Sequence, residues 1–145
     1  MLLTLAACCS RAPDPLTEVL NPTGLHFHPV MGPDDPGTTA FLYEGKTLHL
    51  GPQKTFQLSR VHRTLDINNR PALGFELAAQ DQDAFEALTT SLGGSRMAIV
   101  VGNRVITAPA FNEPLRLGGQ ITGGRDGFSE QEVQDLLTAL IPQSD

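Results

Sequence analysis

Two histidines in the first quarter of the chain have a spacing that could bind a metal ion. His26 and His28 are two residues apart in a segment of alternating apolar side chains, so on a strand both rings would lie on one face. A zinc site needs a third ligand, for which the nearby candidates are Asp34, Asp35 and His49. Structural zinc sites usually show denser His and Cys patterns than this one. The sequence therefore predicts ordinary, half-exposed histidines, with no metal and no cofactor.

The sequence contains no local motif for nucleophilic or acid–base catalysis. No G-x-S-x-G segment is present, and the only cysteines are adjacent near the N-terminus. The grouped carboxylates lie in a turn or at predicted helix starts, where solvent and the helix dipole are sufficient to explain them. These groups are Asp34 with Asp35, Asp81 with Asp83, and Glu130 with Glu132. We predict that the chain is not an enzyme, and an enzyme using His26, His28 and a metal is the least favoured alternative.

A glycine-rich segment at 118–124 is a candidate for binding. It lacks the spacing and the lysine of a phosphate-binding loop, and no dinucleotide fingerprint follows a strand here. Glycine in this segment is more simply explained by tight turns or by close backbone approach at a sheet edge. An exposed edge strand could receive an extended peptide by strand addition. The candidate binding residues are Gly119, Gln120, Ile121, Thr122, Gly123 and Arg125.

The composition is that of an ordinary globular protein and excludes several classes of partner. With 145 residues, 40% of them apolar and 18% charged, the chain can form one hydrophobic core. A net charge of -6 without any cluster of Lys and Arg argues against binding nucleic acid or anionic lipid through a basic face. No segment approaches the roughly 20 consecutive apolar residues that a membrane-spanning helix needs.

The N-terminus carries a motif for lipid attachment. Leu5-Ala6-Ala7-Cys8 matches the bacterial lipobox, in which the cysteine is lipidated and becomes the new N-terminus. We expect a lipidated Cys8 as the membrane anchor, with residues 1–15 as a signal remnant and tether. Only seven residues precede Cys8 and none is charged, so we interpret the true start as lying upstream. The alternative is a short apolar tail with two incidental cysteines.

Residues 16–145 are expected to form one domain built largely of strands. The hairpin joined by Gly102-Asn103 is typical of a tight two-residue turn, and a second small hairpin is predicted around residues 44–46. The strand after the turn at 68–71 is predicted to bury one face only. A single helical turn is expected at 16–20. The predicted strands lie at 25–30, 40–43, 47–50, 56–67, 73–77, 97–101 and 104–108.

Two amphipathic helices are predicted to cover the sheet. The first is acidic at its start and ends at the glycines 93–94. The second begins with a capping box of Ser129 and Glu132 and a hydrophobic staple of Phe128 and Val133. The pattern predicts an α+β fold, a mostly antiparallel sheet with two helices packed on it.

Several of these segments, taken in order, resemble the head of the first periplasmic domain of the bacterial export subunit SecD. The resemblance is best over residues 40–141. The segments that carry it are NRPALGFEL at 69–77, RMAIVV at 96–101, VITAP at 105–109, GQITG at 119–123 and FSEQE at 128–132. In that family the head is thought to contact polypeptide emerging from the translocon, while proton flow through transmembrane helices moves it.

The resemblance implies a binding module that works outside the cytoplasm. This sequence contains no transmembrane helices, so we expect the binding role without the motor. The expected partners are unfolded or exported polypeptide, or an envelope protein, with the membrane reached through lipidated Cys8. The expected location is the cell membrane or outer membrane, facing the periplasm. The alternative is a structural or assembly lipoprotein that docks on one fixed envelope partner. The connection at 124–127 looks longer than in the family.

Overall fold

The computed structural model describes residues 15–143, and within them the chain forms nine strands and two α-helices. The lipobox and Cys8 lie outside the described residues. The strands are β1 Glu18–Leu20, β2 Leu25–Met31, β3 Thr39–Tyr43, β4 Lys46–Leu50, β5 Leu58–Leu65, β6 Pro71–Leu77, β7 Met97–Val101, β8 Arg104–Thr107 and β9 Gly118–Ile121. The helices are α1 Gln82–Leu92, which follows a 3₁₀ turn at Ala79–Asp81, and α2 Glu130–Leu140.

The strands form two sheets in which all neighbours are antiparallel. One sheet has four strands in the order β1-β5-β6-β9, and the other has five in the order β3-β4-β2-β7-β8. The predicted hairpins are confirmed as β3–β4 and β7–β8. Glu44 and Gly45 both have positive φ, which is the geometry that matches the twist of a two-residue hairpin. The α+β class with two helices is confirmed.

The main core lies between one face of each sheet and the two helices. Rings of Phe27, Phe75 and Phe85 meet at its centre with centroid distances of 5.3–5.8 Å, bringing together β2, β6 and α1. Such aromatic contacts add to the stabilisation that comes from burial itself. From α2 the core receives Val133, Leu136, Leu137 and Leu140.

A second, smaller core lies on the opposite face of the five-stranded sheet. This sheet curls so that its outer strands β3 and β8 contact each other. The residues enclosed are Leu50, Ala98, Val100, Val105 and Ala108, with Phe41, Tyr43 and Leu48 packed around them. The curl places the tip of the β3–β4 hairpin near the loop that follows β9.

The helix termini follow the predicted signals. The Ser129 side chain accepts from the Glu132 N–H at 3.0 Å, and the Glu132 carboxylate accepts from the Ser129 N–H at 3.0 Å. Helix α1 ends at Gly93, whose φ of 52° is left-handed. Asp81, at the start of α1, instead accepts from the backbone N–H of Gln57 at 2.6 Å and so ties the helix to the residue that precedes β5.

Two local predictions were wrong. The helical turn expected at 16–20 is instead the short strand β1, which pairs with β5 and places Val19 opposite Val61 in the core. Strand pairing overrides the weak local helix signal because it buries Val19. Strand β6 was predicted to bury one face, but Ala72 and Gly74 on its other face are also buried. Gly74 lies under the ring of His62 from β5.

Candidate functional site

Strand β9 is an outer strand of the four-stranded sheet, so one of its edges faces away from the ladder. The Leu77 N–H donates to the Leu117 carbonyl at 2.8 Å. This bond determines which residues of β9 direct their backbone N–H and C=O toward β6 and which direct them away. Residues Gly119 and Ile121 therefore turn their backbone groups toward β6, whereas Gln120 turns its N–H and C=O toward the open edge. This edge presents a donor and an acceptor that an added strand can use.

The two glycines of β9 have little or no space for a side chain. At Gly118 the φ is +158° and an added Cβ would lie 1.9 Å from the Phe75 carbonyl oxygen. At Gly119 the added atom would lie 3.2 Å from the Phe75 ring and from the Leu115 side chain. The predicted explanation of these glycines, close backbone approach at a sheet edge, agrees with this geometry.

A groove of about 330 Å³ lies beside Gln120. Its wall is the irregular segment between β8 and β9, which contributes residues 109–113 and Leu115. Thr89 of α1 holds this wall in place, because its buried hydroxyl accepts from the Leu115 N–H at 2.8 Å. Leu117, next to the groove wall, is 68% exposed. The groove combines free strand-edge groups with a partly apolar wall.

The six predicted binding residues do not form one surface. Gln120 is exposed, and its side chain crosses the sheet to donate to the Leu65 carbonyl at 3.0 Å. Ile121 is 1% exposed and belongs to the core, so its side chain is not accessible to a partner. Gly123 is buried, and a Cβ there would lie 2.6 Å from the Phe128 nitrogen. Gly119 and Thr122 are half-buried.

Arg125 lies apart from the groove, in the loop that joins β9 to α2. Its N–H donates to the Glu44 carboxylate at 3.3 Å, and its carbonyl accepts from Arg70 at 3.2 Å. Arg70 is itself held by Asp66 at 3.0 Å. The loop is therefore tethered both to the β3–β4 hairpin and to the turn between β5 and β6.

Two adjoining cavities lie between this loop and the β3–β4 hairpin, with volumes of about 370 and 440 Å³. Both are lined by Tyr43, Glu44 and Arg125, and the smaller one also by Lys46 and Arg96. Burial raises the pKa of Tyr43, so the phenol is neutral at physiological pH. The sequence analysis missed Lys46 and Arg96 because no local pattern connects them with Arg125.

The Nδ1 atom of each candidate metal-binding histidine has another contact. The Nδ1 atom of His26 lies 3.2 Å from the Thr55 hydroxyl, and that of His28 lies 3.0 Å from the Gly51 carbonyl oxygen. Partial burial, and then the proximity of His28, lower the pKa of His26. Within residues 15–143 no group of three His, Cys, Asp or Glu side chains is arranged to hold a metal ion.

Comparisons of the sequence with a family model and with known proteins find the same family. The sequence model of the SecDF P1 head subdomain matches residues 44–141. The protein translocase subunit SecD of Treponema pallidum is 40% identical over 72 residues, which is 50% of this chain and 12% of that protein. The corresponding subunit of Aquifex aeolicus is 36% identical over 76 residues, or 52% of this chain and 15% of that protein. The matched region is thus a small part of these relatives.

Two solved structures share the fold. A crystal structure of SecDF in a super-membrane-facing form superposes with a TM-score of 0.54 at 24% identity, covering 79% of this chain and 18% of that one. A second structure, of a membrane component SecDF that enhances protein export, gives a TM-score of 0.53 at 19% identity and covers 83% of this chain and 64% of that one. Among residues 15–143, no helix has the length and apolar character needed to span a bilayer.

Proposed function

Because the chain belongs to the SecDF P1 head subdomain family, we propose that it is a non-enzymatic binding module that holds extended segments of exported polypeptide at the open edge of β9. The family assignment rests on the match over residues 44–141. Relatives matched over part of their length are named protein translocase subunits, and a structural neighbour is described as enhancing protein export. A polypeptide in transit is unfolded, so its backbone groups are available for strand addition.

The observation that carries the proposal is the orientation of the Gln120 backbone. Its N–H and C=O face the open edge beside a groove of about 330 Å³. Backbone pairing recognises any extended sequence, while the groove accepts an alternate side chain. Such recognition has low sequence selectivity, which suits a module that must bind many different exported chains.

The test uses two substitutions at one position. Gln120→Pro removes the outward N–H but not a ladder hydrogen bond, because proline is tolerated at an edge where the N–H faces away from the sheet. Gln120→Ala keeps the N–H and, like the proline variant, loses the side-chain bond to Leu65. Binding of an unfolded secretory precursor is measured by fluorescence anisotropy, with circular dichroism to check folding. We expect Gln120→Ala to bind as the parent does and Gln120→Pro to bind at least tenfold more weakly, and equal binding by both variants contradicts strand addition.

The alternative is a structural or assembly lipoprotein that docks on one envelope protein. The segment at 124–127 supports it, because its contacts with Glu44 and Arg70 make it a fixed surface feature. Photo-crosslinkers at Gln120 and Arg125 in the native host distinguish the two functions. Adducts with many exported chains support the polypeptide-binding role, whereas one dominant adduct supports the assembly role.

We further propose that residues 16–145 act as one domain outside the cytoplasm, tethered through residues 1–15 to a lipid on Cys8. The lipobox supports the anchor, and the relatedness to the SecDF P1 head supports the location. The mass of the protein isolated from host membranes tests the anchor. We expect the acyl modification to be lost in Cys8→Ser and retained in Cys9→Ser, and retention in both variants would exclude Cys8 as the lipidation site.

A further inference from the structure

Most of the Lys and Arg side chains that form no ion pair among the described residues line one cavity. Residues 15–143 contain nine of the ten Lys and Arg side chains. Five form ion pairs with carboxylates, namely Arg60, Arg63, Arg70, Arg104 and Arg116. Four form no ion pair within the described part of the chain, and three of these four, Lys46, Arg96 and Arg125, line the cavity of about 370 Å³ beside the β3–β4 hairpin.

The one carboxylate that lines this cavity is already engaged. Glu44 accepts from the backbone N–H of Arg125 at 3.3 Å, and its carboxylate lies so close to Gly124 that a Cβ there would be 2.5 Å away. The side chain of Glu44 thus contacts the backbone of the loop and forms no ion pair with Lys46, Arg96 or Arg125. In a chain with a net charge of -6, a cavity lined by three cations and one carboxylate has an excess of positive charge, which points to an anionic ligand.

The arrangement of Arg96 suits recognition of a carboxylate. Its Nε donates to the Ala108 carbonyl at 2.9 Å, which orients the guanidinium and uses one of its five donors. The terminal nitrogens of an oriented guanidinium form the paired hydrogen bonds that match two carboxylate oxygens. Leu48 and Tyr43 add apolar surface to the same cavity.

The adjoining cavity of about 440 Å³ indicates that the ligand is part of a longer chain. It shares Tyr43, Glu44 and Arg125 with the cationic cavity and continues along the loop to Phe128. Leu42 at its rim is 74% exposed. A small inorganic anion would leave this space unused, whereas neighbouring residues of a bound peptide would occupy it.

We propose that this cavity binds an acidic side chain of a polypeptide, with the carboxylate held by Lys46, Arg96 and Arg125. The site stands apart from the open edge of β9, because the groove there and the cationic cavity share no lining residue. The two sites differ in the chemistry they recognise, since the edge of β9 pairs with backbone and the cavity selects a charge. The cavity therefore gives a preference for acidic segments that backbone pairing alone lacks.

The test titrates the full chain, labelled with ¹⁵N, with acetyl-Gly-Glu-Gly-amide and with its neutral counterpart acetyl-Gly-Gln-Gly-amide. Backbone amide shifts of Lys46, Arg96, Gly124 and Arg125 report binding at the cavity. We expect saturable shifts with the Glu peptide only, weakening as ionic strength rises. The triple substitution Lys46→Gln, Arg96→Gln and Arg125→Gln is expected to weaken binding at least tenfold. Lys54→Gln removes the fourth unpaired cation, which lies outside the cavity, and is expected to change nothing.

Three outcomes overturn the proposal. Equal shifts with the Glu and Gln peptides show that charge is not recognised. An equal loss of affinity in Lys54→Gln and in the triple variant shows a general effect of net charge. Saturation of the cavity by inorganic phosphate, with no shift from the Glu peptide, assigns the site to a free anion instead. Because both peptides are too short to form a strand, these results are independent of the role proposed for β9.

Discussion

The imidazole ring of His62 lies directly over Gly74 on the neighbouring strand, so close that a Cβ on Gly74 would be 2.4 Å from the ring atoms Cε1 and Nε2. The same ring has its Nδ1 buried without a hydrogen-bond partner among the described residues, 3.9 Å from a Glu76 carboxylate oxygen. The position therefore requires glycine because the His62 ring leaves no space for a Cβ. The backbone does not impose this requirement, since the φ of Gly74 is not in the left-handed region.

Gly74→Ala is expected to destabilise the fold by about 1–3 kcal/mol, the usual cost of overpacking a tightly packed site. Removal of the ring removes the conflict, so the free energy of unfolding of His62→Ala/Gly74→Ala should equal or exceed that of His62→Ala alone. Alanine is favoured over glycine within a strand by roughly 0.5–1 kcal/mol once space exists. Urea unfolding of the four proteins measures the coupling, and additive effects would contradict the contact.

Thr89→Val is expected to cost about 1–3 kcal/mol, because it removes a buried hydroxyl and leaves the half-buried Leu115 N–H without its acceptor. Thr90→Val on the exposed face of α1 is the matched control, with an expected change within about 0.5 kcal/mol. Hydrogen exchange adds a local readout, since the Leu115 amide should exchange faster in Thr89→Val. An unchanged rate there would mean that Thr89 does not hold the wall of the β9 groove.

Asp66 gives the chain a stabilising contribution that depends on pH. The backbone N–H of Arg70, followed by that of Asn68 and the Arg70 side chain, holds the pKa of Asp66 below its usual value of 3.8. A depressed pKa stabilises the fold above the unfolded value, and this contribution is lost as pH falls through the folded value. Asp66→Asn should therefore lower the Tm at pH 7, with the difference from the parent shrinking below pH 3.8.

Thermal melts from pH 7 to pH 2 test this expectation. Asp34→Asn, in an exposed turn, is the control and should match the parent at every pH. A Tm difference for Asp66→Asn that stays constant down to pH 2 would show that lost packing, and not the charge of Asp66, is responsible.

Ser129→Ala should destabilise the fold by about 1 kcal/mol, since it removes the acceptor for the Glu132 N–H at the start of α2. Glu132→Gln keeps a side chain able to complete the capping box and loses only the charge that pairs with Arg104. Its expected effect is about 0.5 kcal/mol or less. Chemical denaturation measures both, and equal losses would contradict a stabilising role for the Ser129 cap.

Local signals were sufficient for most of the secondary structure. The Gly102-Asn103 link, the turn at Glu44-Gly45 and the capping box of Ser129 depend on residues within a few positions of one another, so the sequence predicts them directly. The family resemblance was also visible in the sequence and was confirmed over residues 44–141. Strand β1 was missed because three residues carry little periodicity and their pairing partner lies about 40 residues away.

The sequence by itself therefore determined the fold class, the family and the position of the glycine-rich segment that became β9. Only the tertiary structure decided that Gln120 turns its backbone to an open edge, that Ile121 is buried, and that Lys46, Arg96 and Arg125 share one cavity. The physical reason is the distance along the sequence between the residues whose contacts determine each feature. Turns and caps are set by neighbours along the chain, whereas strand order, register and the curl of a sheet are set by contacts between residues far apart in sequence, which no local pattern records.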